Sequence, residues 1–249
     1  LMARNLKSFM KNIDLPFVRG AEGTELLGYV PNQNGVAIQS SGTTIATGFD
    51  MGQFTSHDIK DLPKDIKKLI TPYLGKKGAT AIDFLKDNPI TIDKTQASII
   101  DDWVKLTFYN KVSKAWNKSE STVKFKDLPK GKATSVYSTA FNFGLGEKQT
   151  AEEIAENGKK GLVNFDLWKQ ATIGDWGSFK DNLNTWYEND GVVPEETAPG
   201  LVQRRKDEAD LVEIGVEQTL NKTEIDVTGT PGDAGPQFDT PVEPRIETE

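Results

Sequence analysis

The chain has no cysteine and a single histidine, His57. The first absence excludes disulfides, thiol nucleophiles and cysteine zinc sites. The second excludes a metal site built on several histidines. A Ser-His-Asp triad would have to use His57, and no nucleophile motif accompanies it. His57 is therefore expected at the surface or at a helix start, without a catalytic role. No stretch approaches the roughly 18 apolar residues of a membrane span, so no membrane insertion is expected. Residues 1–12 carry basic side chains but no continuous apolar core, and they are not expected to act as a secretory signal. There is no basic face of the kind that binds nucleic acid. The remaining catalytic vocabulary is carboxylate, hydroxyl, amine and main chain, with no metal or cofactor expected.

What is present is ordinary globular composition. Of 249 residues, 36% are hydrophobic and 27% charged, enough for one large domain or two small ones with a real core. The net charge of −7 is unevenly placed. Between 216 and 249, eight acidic residues face only Lys222 and Arg245, so this tail carries −6 and the body is nearly neutral. The tail is poor in large apolar residues and includes the Gly- and Pro-dense run from Thr228 to Pro236. Such a segment cannot bury enough surface to fold alone. Residues 216–249 therefore read as an acidic linker or arm, residues 14–215 as the folded domain, and residues 1–13 as an N-terminal extension.

Within the body, residues 14–27 read as a helix opened by Asp14, with Pro16 in its first turn. Residues 28–56 are rich in Gly, Thr, Ser and β-branched residues and read as turns and short strands. Residues 57–127 read as helices punctuated by Pro63, Pro72 and Pro89. The strongest is 93–117, with Ile99, Ile100, Trp103, Leu106, Val112 and Trp116 at helical spacing. Residues 133–214 are again mainly helical, interrupted at Gly144, Gly146, Gly174, Gly177 and Gly191. This order gives an α+β fold: a first helix, a small antiparallel sheet, then a mainly helical lobe. No internal repeat is found.

Two segments carry groups suited to acid–base chemistry. Glu22 falls near the end of the first expected helix, in Arg19-Gly20-Ala21-Glu22-Gly23. Partial burial beside Leu26, Leu27 and Tyr29 would favour its protonated form. Spacing does not separate it from Glu25, and taken alone it reads as a solvated glutamate. The second segment runs from Ser41 to Gln53. Thr44 and Asp50 would lie roughly 20 Å apart on a straight strand. If the chain turns back at Ala46-Thr47-Gly48, they become cross-strand neighbours at roughly 5 Å. A hydroxyl and a carboxylate so placed can hold and deprotonate a water. The same residues would also suit an ordinary polar turn.

Together these segments resemble the pesticin-like branch of the phage-type lysozymes. The resemblance rests on Glu22-Gly23, on Gly28-Tyr29-Val30-Pro31, and on Ser41-Gly42, Thr44-Ile45 and Thr47-Gly48-Phe49-Asp50-Met51-Gly52-Gln53. Ala140-Phe141-Asn142-Phe143-Gly144 resembles the family's cleft-lining Phe-Asn-x-Gly turn. Gly200-Leu201-Val202-Gln203-Arg204-Arg205-Lys206-Asp207-Glu208-Ala209 resembles its closing helix. The pieces span about 14–214 in the expected order. T-even phage lysozymes place the aspartate before the threonine; here Thr44 precedes Asp50, as in the pesticin branch. Ala46 stands where glycine is expected, a change expected to matter little because it adds only a methyl.

The resemblance implies a lysozyme-like fold and inverting hydrolysis of the N-acetylmuramic acid–N-acetylglucosamine bond of peptidoglycan. It implies Glu22 as general acid, Asp50 as base on the attacking water and Thr44 as its holder, with Thr43 and Thr47 as rival hydroxyls. An inverting pair stands roughly 6.5–9.5 Å apart. Tyr29 and Asn142 are candidate sugar-binding residues, and Asn142 reads equally as a helix cap. Arg204 and Arg205 can pair with a carboxylate such as Glu22, or at least one of them pairs with Glu208, one helical turn on from Arg204. The five tryptophans read as core. The implied partner is the glycan strand, with residues 216–249 expected to contact phage tail or particle proteins. The implied location is the virion, or the host cytoplasm with release to the periplasm. The alternative is a non-catalytic virion component that keeps the fold for wall binding or assembly. A bacteriocin toxin ranks lower, because only about thirteen residues precede the expected domain.

Overall fold

The computed structural model describes residues 8–20, 23–33, 36–37, 40–189 and 199–213. In chain order the elements are helix α1 (Leu15–Gly20), then strands β1 (Glu25–Tyr29), β2 (Asn32–Gln33), β3 (Val36–Ala37), β4 (Thr44–Ala46) and β5 (Phe49–Asp50). Helices follow: α2 (Lys64–Ile70), α3 (Gly78–Asp87), α4 (Lys94–Asn117), α5 (Lys130–Phe143), α6 (Ala151–Asn157), α7 (Asp166–Ile173), α8 (Trp176–Asn189) and α9 (Pro199–Leu211). The fold is α+β, with a small antiparallel sheet near the N-terminus and helices after it. The described residues divide into two compact units. The first lies within Leu1–Phe9 and Glu22–Thr107, the second within Met10–Ala21 and Phe108–Glu249. Among the described residues, no helix is long and apolar enough to cross a membrane.

The first unit holds the sheet, in the order β1-β4-β5, all antiparallel, and the separate β2-β3 hairpin. Alternation along a strand sends neighbouring side chains to opposite faces. Ile45 and Phe49 are register partners and are buried in the core with Met51, Ile66, Ile100 and Trp103. Phe49 meets the edge of Trp103 at 5.8 Å. Each such side chain contributes about 1.5–3 kcal/mol on burial. The apolar pair thus fixes which face of the hairpin points inward, and Thr44 and Asp50 must project from the other.

The expected first helix is shorter than its sequence pattern. It ends at Gly20, and Glu25–Tyr29 is a strand. Pairing decides this. Tyr29 lies opposite Thr44, the Gly28 amide donates to Ile90 O at 2.9 Å, and the Ile92 amide donates to Leu26 O at 2.9 Å. A Cβ at Gly28 would lie 2.3 Å from Ile90 Cγ2, so the strand approaches this closely only because residue 28 is glycine. Partners on both sides outweigh the helical preference of Glu-Leu-Leu. At the other end of the helix the expected cap holds: Asp14 Oδ1 accepts from the Phe17 amide at 3.3 Å.

The second unit centres on α5, whose residues Ala133 to Ala140 are all buried. Its small residues let neighbours approach, and Thr134 Oγ1 donates within the helix to Lys130 O. Trp116, Trp168 and Trp186 are buried in this unit and Trp103 in the first, as expected, while Trp176 is half-buried. Met10, Asn12 and Ile13 are also buried. Asn12 donates to Phe125 O and accepts from Tyr109. Buried structure therefore begins before the expected start at residue 14.

Candidate active site on the β4–β5 hairpin

Thr44 is the register partner of Asp50 on one side and of Tyr29 on the other. Three strands therefore bring Tyr29, Thr44 and Asp50 into one row across the sheet, opposite in direction to Ile45 and Phe49. The chain reverses at Ala46-Thr47-Gly48, as the sequence suggested, with Gly48 at φ 90°. Ala46 corrects an expectation. It sits at φ 55° and is the single non-glycine with positive φ among the described residues. A side chain in this region costs about 1–2 kcal/mol, so alanine for glycine is not a neutral exchange.

Asp50 is half-buried and closely held. Its Oδ1 accepts from the Gly42 amide at 2.9 Å and the Gly52 amide at 2.8 Å. Its Oδ2 accepts from Gln53 Nε2 at 3.0 Å. Gln53 also donates to Ser40 O, and its Oε1 accepts from Lys77 Nζ at 2.8 Å. A Cβ at Gly42 would lie 2.5 Å from Gly52 Cα, so the two amides converge on one oxygen only where neither residue has a side chain. This arrangement fixes the carboxylate plane and leaves Oδ2 with remaining capacity to accept a further hydrogen bond.

Thr44 is 3% exposed, and its hydroxyl donates to Gly42 O at 3.2 Å. The rival hydroxyls differ. Thr43 is fully buried, with no hydrogen-bond partner for its Oγ1 among the described residues. Thr47 Oγ1 donates to Asp101 Oδ1 at 2.6 Å. Neither stands opposite Asp50 in register. Tyr29 is half-buried, and burial, then the charges of Glu25 and Asp50, push its phenol above its ordinary value. It therefore remains a hydrogen-bond donor through neutral pH. Glu22 lies outside the described residues. Glu25 is exposed at the start of β1, and Leu27, expected to wall the acid, is 64% exposed.

Asn142 belongs to the second unit, exposed in the last turn of α5. It does not cap the helix: the Gly144 amide closes the end on Ala140 O. Instead Asn142 Oδ1 accepts from Arg205 Nη2 at 3.1 Å. Both arginines pair with Glu208, Arg204 Nε at 3.3 Å from Oε1 and Arg205 Nε at 3.0 Å from Oε2. Ser138 and Thr139 also donate to this fully buried carboxylate. His57 is exposed in a turn, and no metal-binding cluster occurs among the described residues.

Gly42, Gly52, Gln53 and Lys77 were not singled out for a role by sequence reasoning. A glycine two residues after an aspartate is the one local signal, because an Asp side chain readily accepts from the amide two residues on.

The family described as pesticin, a bacterial toxin homologue of phage lysozyme (C-terminal part), matches residues 12–158. The chain belongs to this family. The pesticin match contains Glu22, Tyr29, Thr44, Asp50 and Asn142, while the Gly200–Ala209 segment lies beyond it. No curated protein matches the chain in sequence. Among solved structures, the active form of the P1 phage endolysin Lyz is 18% identical. That comparison covers 89% of this chain and 97% of that one, with a TM-score of 0.44. Membership in the pesticin family supports a peptidoglycan-cleaving role by a lysozyme-type glycoside hydrolase.

Proposed function

We propose that the chain is a muramidase that hydrolyses the N-acetylmuramic acid–N-acetylglucosamine bond with inversion. In this reading Glu22 gives its proton to the leaving glycosidic oxygen. Water attacks the anomeric carbon from the opposite face and passes its proton to Asp50 Oδ2. Thr44 gives its own proton to Gly42 O, and its oxygen keeps lone pairs to receive a hydrogen of that water. Tyr29 contacts a sugar group. The observation that carries the reading is the register pairing of Thr44 with Asp50. Asp50 has one oxygen engaged by two amides and the other turned to Gln53. A carboxylate held so firmly is better suited to catalysis than to assembly, which favours an active enzyme over a non-catalytic particle component.

We further propose that the catalytic domain runs to residue 215 and starts at the buried Met10 rather than at 14, that the residues before it extend it, and that the acidic arm 216–249 contacts a phage tail or particle protein. The enzyme acts on the wall from the virion, or from the host cytoplasm after release to the periplasm. Purified peptidoglycan should release muropeptides with reducing muramic acid ends, detected by mass analysis. Glu22→Gln and Asp50→Asn should each abolish that release while the proteins remain folded. Reducing glucosamine ends, anhydro products or full activity in either variant would overturn the assignment.

A further inference from the structure

The turn that joins the two halves of the proposed site is strained, and a residue distant in sequence holds it. Ala46 ends β4 with φ 55°, a conformation that L side chains rarely adopt. Such a conformation persists only where its surroundings over-determine it. The next residue is gripped twice by one atom: Asp101 Oδ1, on α4, accepts from the Thr47 amide at 3.0 Å and from Thr47 Oγ1 at 2.6 Å. Lys105, one helical turn further on and 1% exposed, places Nζ 3.4 Å from the same hydroxyl. Asp101 and Thr47 are both only half-buried, so their contact is not a by-product of core packing.

We infer that Asp101 is a positioning residue that locks the Ala46-Thr47-Gly48 turn in its left-handed form and so keeps Thr44 in register with Asp50. The inference rests on the reading of Thr44 and Asp50 as the water-holding pair. Asp101 touches neither residue; it acts through Thr47. Without it, the turn can relax toward negative φ at Ala46. The two strands are only three and two residues long, so a relaxed turn moves the hydroxyl away from the carboxylate.

The test compares full-length wild type with Asp101→Ala, Asp101→Asn, Ala46→Gly and the Ala46→Gly/Asp101→Ala double variant. Turnover and KM on purified peptidoglycan are measured, with thermal unfolding alongside. Asp101→Ala should lower kcat about tenfold, the population ratio to which the cost of a left-handed residue corresponds, with KM little changed. Asp101→Asn keeps an accepting oxygen and should retain most of the turnover. Ala46→Gly removes the strain at its source and should restore turnover to the Asp101→Ala protein. It should also raise Tm in the wild type by more than in the Asp101→Ala background, where the turn has already relaxed. A folded Asp101→Ala protein with wild-type kcat would overturn the inference, as would equal gains from Ala46→Gly in both backgrounds. Should Asp101→Ala fail to fold, Thr47→Val, which removes the hydroxyl that donates to Asp101 Oδ1 at 2.6 Å, with and without Ala46→Gly provides the same comparison. Full activity in Asp50→Asn would instead sink the base reading and leave the clamp to be judged on the unfolding coupling alone.

Discussion

At the scale of single residues, the half-buried Asp50 is defined by what surrounds it. Two backbone amides fix Oδ1, so its orientation depends on Gly42 and Gly52 remaining side-chain-free. Only Gln53 contributes a side chain, donating to Oδ2 while its own carbonyl is held by Lys77. Gln53→Glu, compared with Lys77→Met, tests that contribution. Glutamate has the same shape and still accepts from Lys77, but it has no N–H to give and sets a second negative charge beside Asp50. A hydrogen bond to a charged group contributes about 1.5–3 kcal/mol, and the exposure of Gln53 argues for the lower end. Turnover on peptidoglycan should fall about tenfold, while Lys77→Met should cost much less. Equal losses in the two variants would mean that charge near the site matters rather than the bond to Oδ2.

At the scale of elements, α5 and α9 are joined by a buried ionic cluster. Glu208, fully buried, accepts from Ser138, Thr139, Arg204 and Arg205. Replacing it with glutamine keeps the shape but takes the counter-charge from an arginine that is 2% exposed. Breaking a buried pair costs about 3–5 kcal/mol, and each kcal/mol lowers Tm by about 2–4 °C in a protein of this size. Glu208→Gln should therefore lower Tm by about 10 °C, read by thermal unfolding; a shift under about 2 °C would show that the cluster adds little stability. The pairing of Arg204 with Glu208 was legible in their four-residue spacing. The joint engagement of Arg205 and its bond to Asn142 were not, since both depend on how α5 lies against α9. The same contrast runs through the chain. Helix α4 follows its apolar spacing almost to the residue. The segment 21–27 read as helix because its local preferences are helical, and the partners that make Glu25–Tyr29 a strand lie 15 to 66 residues away. The hairpin turn was legible at Gly48. The strain at Ala46 was not, because nothing local demands φ 55° there; the demand comes from the register and from Asp101.

At the scale of the whole molecule, charge and chemistry pull in different directions. Of the net −7, residues 216–249 carry −6, and the remainder is close to neutral. The proposed substrate lies in a polyanionic wall, so the arm repels the surface on which the enzyme works. Such repulsion is long-ranged at low salt and is screened within about 8 Å at physiological ionic strength. Removing residues 216–249 should therefore strengthen sedimentation with whole anionic walls at low ionic strength, and the gain should vanish above about 0.3 M salt. Turnover on short soluble glycan fragments should be unchanged, because none of the proposed catalytic groups lies in the arm. If truncation instead weakens wall binding at every salt concentration, the arm is itself a wall-binding element. Its charge would then have to meet a cationic feature of the wall, and the proposal that it contacts a particle protein would lose its basis.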